Sequence, residues 1–185
     1  MQRISEYRFC PRCSGDLNAR RIKAGEPERL VCHACDFVFY LDPKIAACTI
    51  VEIDGKILLL RRAIEPSLGD WVIPGGFVDA GETVPDAAIR ETREESSLEV
   101  ALGPLVGIYS YPNVSVVIVV YEALDVKGTP TAADESLEVG LFDPPDIPWS
   151  SLAFTSTRDA LRDYLARRGV HPDDASCFPL KNLGL

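Results

Sequence analysis

The stretch GGFVDAGETVPDAAIRETREESSL, residues 75–98, decides how this chain is read. Its first half is loop: a glycine pair at 75 and 76, then Gly81 at a further tight turn. Its second half is helix. Thr83 suits the N-cap, Pro85 falls in the first turn, and Asp86 stands three residues after the cap. Ala87, Ala88 and Ile89 favour or tolerate helix. The helix then breaks a charge rule. Residues three and four apart are neighbours on a helix, so Glu91, Glu94 and Glu95 share one face. They do so near the C-terminal end, where the backbone dipole also disfavours anions. Asp86 precedes Arg90 favourably, but Glu91 is followed one turn later by Glu95, the repulsive arrangement.

A solvated acidic face accounts for the charge but not for this spacing. Hard divalent cations take carboxylate and carbonyl oxygens, and carboxylates on adjacent turns suit one or more such ions. The Gly75-Gly76 turn lets the backbone come close, and its carbonyl would complete the shell. Mg2+ or Mn2+ held there would neutralise a diphosphate, activate water and stabilise the leaving oxygen.

The rest of the composition agrees. The chain has 185 residues, of which 46% are hydrophobic, and a net charge of −9. That is enough for one main domain with a small appendage. An acidic balance lacks the positive field that draws nucleic acid, so a nucleic-acid partner is not expected. A phosphate substrate would need a compensating cation, as the glutamates imply. The N-terminus has no apolar run after its basic residues, and no stretch approaches the ~20 apolar residues that span a bilayer. A cytoplasmic protein with no membrane partner is expected.

The cysteines mark the appendage. CPRC (10–13) and CHAC (32–35) are separated by eighteen residues, within the range of a zinc site. Cys10, Cys13, Cys32 and Cys35 would close a structural tetrahedron with no open position. The polar loop between them would gain its folding energy from the metal. Disulfides are the alternative, disfavoured in a reducing compartment. His33 reads as a bystander, Cys48 as a small core residue, and Cys177 as a tail residue with no obvious partner. Arg12, Arg20, Arg21, Lys23 and Arg29 form a modest basic cluster, read as a solvated face.

Beyond a junction at 40–43, strands are expected over 45–53, 57–62, 71–76, about 100–110, 114–124 and 137–143. An Asp54-Gly55 turn makes the first two a hairpin. A last helix, STRDALRDYLARRG (156–169), places Ala160, Leu161, Tyr164 and Leu165 on one side, with Gly169 as C-cap. Hairpins dominate, so an α/β fold with a mixed sheet and helices on both faces is expected. The domain boundaries read as 1–40, 41–168 and a C-terminal tail, 169–185.

Residues 76–98 resemble the box of the Nudix hydrolases, G-x5-E-x7-R-E-U-x-E-E-x-G-U, with U aliphatic. Gly76, Glu82, Arg90, Glu91, Glu94, Glu95 and Leu98 match it. Thr92 stands where the family has an aliphatic residue, and Ser97 where it has glycine. Thr92 should lie on the buried side with its hydroxyl bonded back to the helix. Ser97 should meet the positive φ that glycine serves. The resemblance implies an α/β/α sandwich and a pyrophosphohydrolase. Glu91, Glu94 and Glu95 would bind Mg2+ or Mn2+ with help from the Gly75 carbonyl, Arg90 would orient the glutamates, and Glu82 would support the loop. The general base would be Glu91 or a later-loop glutamate, Glu135 or Glu138, of which Glu138 is carried forward.

A ribbon before such a domain is the layout of NADH pyrophosphatases, but YSYPNVSVV (109–117) stands in place of their S-Q-P-W-type motif. RRAIEP (61–66), ESLEVGLF (135–142) and IPWSSLAF (147–154) look more like the zinc-ribbon subgroup related to plant plastid FAD pyrophosphatases, some relatives of which cleave ADP-ribose. FAD or ADP-ribose is thus the expected substrate and NADH the second, giving AMP and X-phosphate. Arg61, Arg62 and Tyr111 are candidate substrate contacts. The other class to weigh is a sensor that binds a nucleotide without turnover and uses the ribbon on nucleic acid or a partner; the intact carboxylate set argues against it. Many relatives are dimers, so a homodimer is compatible with the resemblance.

Overall fold

Two compact units divide the chain, one ending at Pro43 and the other beginning at Lys44. The structure, a computed structural model, describes residues 7–170. The tail from 171 onward, Cys177 included, lies outside the described residues.

The first unit is a three-stranded antiparallel sheet of β1 (Leu17–Arg20), β2 (Arg29–Cys32) and β3 (Val38–Phe39). Among the described residues its core cluster is small: Cys10, Leu17, Leu30 and Cys32, with Tyr7, Phe37 and Phe39 against them. A core that small does not sustain a fold unaided, which fits a metal-supported ribbon.

The second unit runs β4 (Lys44–Ile50), β5 (Glu52–Ile53), β6 (Lys56–Arg62), β7 (Trp71–Val72), β8 (Gly75–Phe77), α1 (Val84–Ser96), β9 (Glu99–Tyr109), β10 (Val116–Lys127), β11 (Ser136–Phe142) and α2 (Thr155–Arg167). One sheet is mixed, in the order β8-β4-β10-β9. Its centre is a parallel pairing of β4 with β10, flanked by antiparallel neighbours. The other sheet, β11-β6-β5 with β7 also on β6, is antiparallel.

Two expected strands prove to be two strands each. The 45–53 run breaks at Val51: β4 stays in the mixed sheet while β5 turns into the antiparallel one. The 71–76 run breaks at Ile73-Pro74, with β7 on β6 and β8 on β4. Proline removes a ladder donor at that point, and its carbonyl instead accepts the Thr49 N–H at 2.9 Å. An unbroken apolar run does not reveal that it serves two sheets.

Alternation along β4 sets the layers. Ala47 packs with Ala87 and Ala88 of α1. Cys48 and Ile50 pack in the cluster that contains Ala160, Leu161, Tyr164 and Leu165 of α2. The helices therefore cover opposite faces, and the fold is an α/β/α sandwich. The two fully buried alanines let α1 lie close on the sheet. Helix α2 ends with Arg168 as its C-cap, one residue before the expected Gly169, which takes φ +71° and donates to the Ala166 carbonyl at 3.0 Å. Among the described residues no helix is long and apolar enough to cross a membrane.

Candidate active site

Helix α1 delivers the glutamates and is fixed at both ends. Thr83 caps it, its Oγ1 accepting from the Asp86 N–H at 3.2 Å. Ser97 ends it in the left-handed region at φ 60°, with its N–H on the Arg93 carbonyl at 2.9 Å. That is the conformation in which serine costs roughly 1 kcal/mol more than glycine. Thr92 is fully buried and donates to the Ala88 carbonyl at 2.6 Å. Its oxygen also meets the buried Thr49 hydroxyl of β4 at 2.7 Å. Thr49 has no signal of its own in the sequence; it acquires a role only because this chain has threonine at 92.

Arg90 organises the acidic face. Its five N–H donors all find acceptors. Nε and Nη2 hold Glu82 in a fork at 2.8 and 3.0 Å. Nη1 reaches Glu91 at 2.8 Å and Glu94 at 2.9 Å, and Nη2 also reaches the Phe77 carbonyl at 3.1 Å. The bond to Arg90 holds Glu82 below the usual carboxylate range. The charge pattern alone shows the Glu91–Glu95 repulsion and not this relief, whereas the resemblance gave Arg90 an orienting role; it lies one turn before Glu94 and adjoins Glu91.

Glu95 receives no such cation. It is 8% exposed and accepts the Gly75 N–H at 2.9 Å. Burial pushes its carboxyl up to about 7, and the Glu91 and Glu135 charges add to the shift. Burial likewise raises Glu91 above the usual carboxylate range, against the pull of Arg90. Anionic oxygens so placed at neutral pH are the donor set that a hard cation relieves.

The glycine pair is required by contact. A Cβ on Gly75, at φ 151°, would meet the Cys48 sulfur at 2.4 Å and the Ala47 carbonyl oxygen at 2.6 Å. A Cβ on Gly76 would meet the Glu91 carboxylate at 2.5 Å. The backbone thus lies directly on the carboxylates, as the sequence suggested. Cys48, read as a core residue, is also the floor under Gly75.

The remaining candidates separate. Glu138 is engaged by Arg61 at 3.3 Å, both half-exposed. It is Glu135 whose charge bears on both Glu91 and Glu95. Its loop rests on the end of α1, through Ala133 N–H to the Glu95 carbonyl at 3.2 Å. Arg61 also donates to the Gly69 carbonyl at 3.0 Å. Tyr111 donates to Asp159 of α2 at 2.6 Å, a contact that ties β9's end to the helix. Arg62 donates Nε to the Pro66 carbonyl at 2.8 Å and lies 5.0 Å over the Phe154 ring; its charge opposes the upward shift of Glu95.

In the first unit the four cysteine sulfurs all lie within 4.8 Å of one another. The separations are 3.4 Å for Cys13–Cys35, 3.5 Å for Cys13–Cys32 and 3.8 Å for Cys10–Cys35. Four sulfurs about 2.3 Å from a tetrahedral zinc sit roughly 3.8 Å apart. The four cysteines form no disulfide among the described residues, and the set fits zinc. Each knuckle turns a backbone N–H onto a sulfur: Arg12 to Cys10 and Ala34 to Cys32, both at 3.4 Å.

A model of the NUDIX domain matches residues 42–164. The chain belongs to the NUDIX family. A model of the Nudix N-terminal zinc ribbon matches residues 8–41. The chain is 37% identical over 130 residues to an ADP-ribose pyrophosphatase of Methanocaldococcus jannaschii, covering 68% of this chain and 75% of that one. It is 27% identical over 172 residues to the NAD-capped RNA hydrolase of Stutzerimonas stutzeri, covering 92% of this chain and 60% of that protein, so it spans well under the length of that relative. The solved structure of a NUDIX hydrolase from Nitrosomonas europaea superposes with a TM-score of 0.79 at 34% identity, over 90% of this chain and 96% of that one. This Nudix hydrolase thus has an enzyme's relatives in both units.

Proposed function

We propose that this Nudix protein hydrolyses the diphosphate of a nucleoside diphosphate linked to X, with ADP-ribose the favoured substrate and AMP a product. The observation that carries the reading is the cluster of Glu91, Glu94 and buried Glu95, gathered by Arg90 against the Gly75-Gly76 backbone. Glu91, Glu94 and Glu95, with the Gly75 carbonyl, would hold Mg2+ or Mn2+. When bound, such ions offset the diphosphate charge and lower the pKa of attacking water.

The chain's own groups supply the rest. Arg90 and Glu82 hold the glutamates in register with the loop. Glu135 is the better placed base, because its charge is felt by Glu91 and Glu95 while Glu138 is taken up by Arg61. Water adds to one phosphorus and gives a proton to Glu135. The anhydride P–O bond breaks in line, and the bridging oxygen leaves with the other phosphate. With ADP-ribose the products are AMP and ribose 5-phosphate.

The 37% identity to an ADP-ribose pyrophosphatase supports this substrate. A second reading, cleavage of an NAD-type diphosphate free or at the end of an RNA, is supported by the match across both units to an NAD-capped RNA hydrolase. FAD is a third arm, resting on the RRAIEP, ESLEVGLF and IPWSSLAF phrases. The test is AMP release from ADP-ribose, NADH, FAD and NAD-capped RNA with magnesium. ADP-ribose should turn over fastest; tight binding of one nucleotide with no turnover of any would replace the enzyme by a sensor.

A further inference from the structure

The hydrolytic reading leaves open what holds the substrate's own negative charge at the wall facing α1. The strand end that brings Glu135 to the site brings a cation with it. Arg62 closes β6 opposite Ser136 of β11, and the next residue, Ala63, donates its N–H to the Glu135 carbonyl at 2.7 Å. Adjacent residues on a strand point to opposite faces, so Arg61 and Arg62 cannot do the same work. Arg61 turns to Glu138 and Gly69 on an exposed surface. Arg62 is half-buried, and its charge is felt by Glu95.

Arg62 is held from behind. Its Nε is committed to the Pro66 carbonyl, and its plane rests on Phe154. The ion pairs among the described residues engage Arg20, Lys23, Lys56, Arg61, Arg90 and Arg168. None engages Arg62, and its Nη1 and Nη2 donate to no acceptor among the described residues. Arg62 is thus anchored through its Nε and its stacking on Phe154, and its forked end is left unspent among the described residues. A guanidinium fork matches phosphate oxygens two at a time, and an anchored one loses little freedom in binding them.

The geometry points to Arg62 as the group that grips a phosphate of the substrate's diphosphate, across the site from the glutamates, while Arg61 serves only the fold. This rests on the hydrolytic reading for its substrate class, but it is a claim about phosphate recognition and can be tested apart from turnover. Arg62 grips the phosphate in the ground state and more strongly as charge builds on the reacting phosphorus.

The experiment compares wild type, Arg62→Ala, Arg62→Lys and Arg61→Ala by calorimetric binding of AMP and of adenosine with magnesium, and by kcat/KM on ADP-ribose. Arg62→Met, which keeps the stem on Phe154, replaces the alanine variant if that one fails to fold. Loss of Arg62 should weaken AMP at least about 10-fold, leave adenosine unchanged and lower kcat/KM about 100-fold. Lysine should restore part of both, and Arg61→Ala should weaken AMP binding less than Arg62→Ala does. Wild-type AMP affinity in Arg62→Ala would overturn the assignment, as would AMP binding no tighter than adenosine in wild type. If wild type binds AMP through Arg62 but turns over no substrate, the hydrolytic reading fails and this one stands.

Discussion

Thr92→Val, the substitution that restores the family's aliphatic type, should destabilise this protein. Thr92 and Thr49 are both 0% exposed. Thr92 donates to the Ala88 carbonyl, so at 2.7 Å the Thr49 hydroxyl is the donor and Thr92 Oγ1 its acceptor. Valine keeps the shape and the β-branch but strands the Thr49 hydroxyl. A buried polar group left without its partner costs about 1–3 kcal/mol, while the lost back-bond to Ala88 was worth little. The net expectation is a loss of about 1–2 kcal/mol. Thr49→Val should cost less, because Thr92 keeps Ala88 as its acceptor. The double Thr49→Val/Thr92→Val should return to near wild type, since replacing both partners by apolar isosteres is close to neutral. Urea unfolding of the four proteins, with zinc present throughout, gives the coupling energy directly. A stabilised Thr92→Val, or two single effects that simply add, would refute the reasoning.

Other consequences follow from the same geometry. Ser97→Gly should gain about 0.5–1 kcal/mol by relieving the left-handed serine, read as a raised urea midpoint. Glu94→Gln with Glu95→Gln should lower AMP release from ADP-ribose by roughly 100-fold or more while far-UV circular dichroism persists; unchanged turnover would remove the metal assignment. Because Glu95 titrates near 7 when folded and lower when unfolded, its contribution to stability is full below its unfolded pKa and is lost as pH rises through about 7. Magnesium-free protein should therefore melt higher at pH 5 than at pH 8, and Glu95→Gln should flatten that difference. Stripping zinc should unfold the first unit, visible as loss of dispersed NMR signals for residues 10–35, with the signals of residues 44–170 retained.

Much of this was legible in the sequence because it is written in local chemistry. The Thr83 cap, the buried face of α2 and the left-handed Ser97 each depend on a few neighbouring residues. The cysteine spacing carried a whole unit. What was not legible depends on contacts distant in sequence. Nothing near Val51 announces that β4 leaves one sheet and β5 enters another. Glu135 stands just before β11 and Glu138 within it, and nothing in the sequence ranks the two until the partnership of Glu138 with Arg61 separates them. Arg61 and Arg62 differ likewise only once β6 is given a face. The Arg90 network was half visible: its distance to Glu94 is one helical turn, but its fork on Glu82 spans a loop.

The two sheet crossings, at Val51 and at Ile73-Pro74, have a dimensional consequence. Gly75 and the glutamates belong to the mixed sheet and its helix, whereas Arg62 ends one strand of the antiparallel sheet and Glu135 immediately precedes another. The gap between them is bridged twice by single-residue or two-residue covalent spans, which cannot lengthen. The covalent chain therefore limits how far Gly75 can move from the end of β6. On the proposed function, lengthening the Ile73-Pro74 span by one residue would shift Gly75 and α1 against Arg62 without touching any charged group.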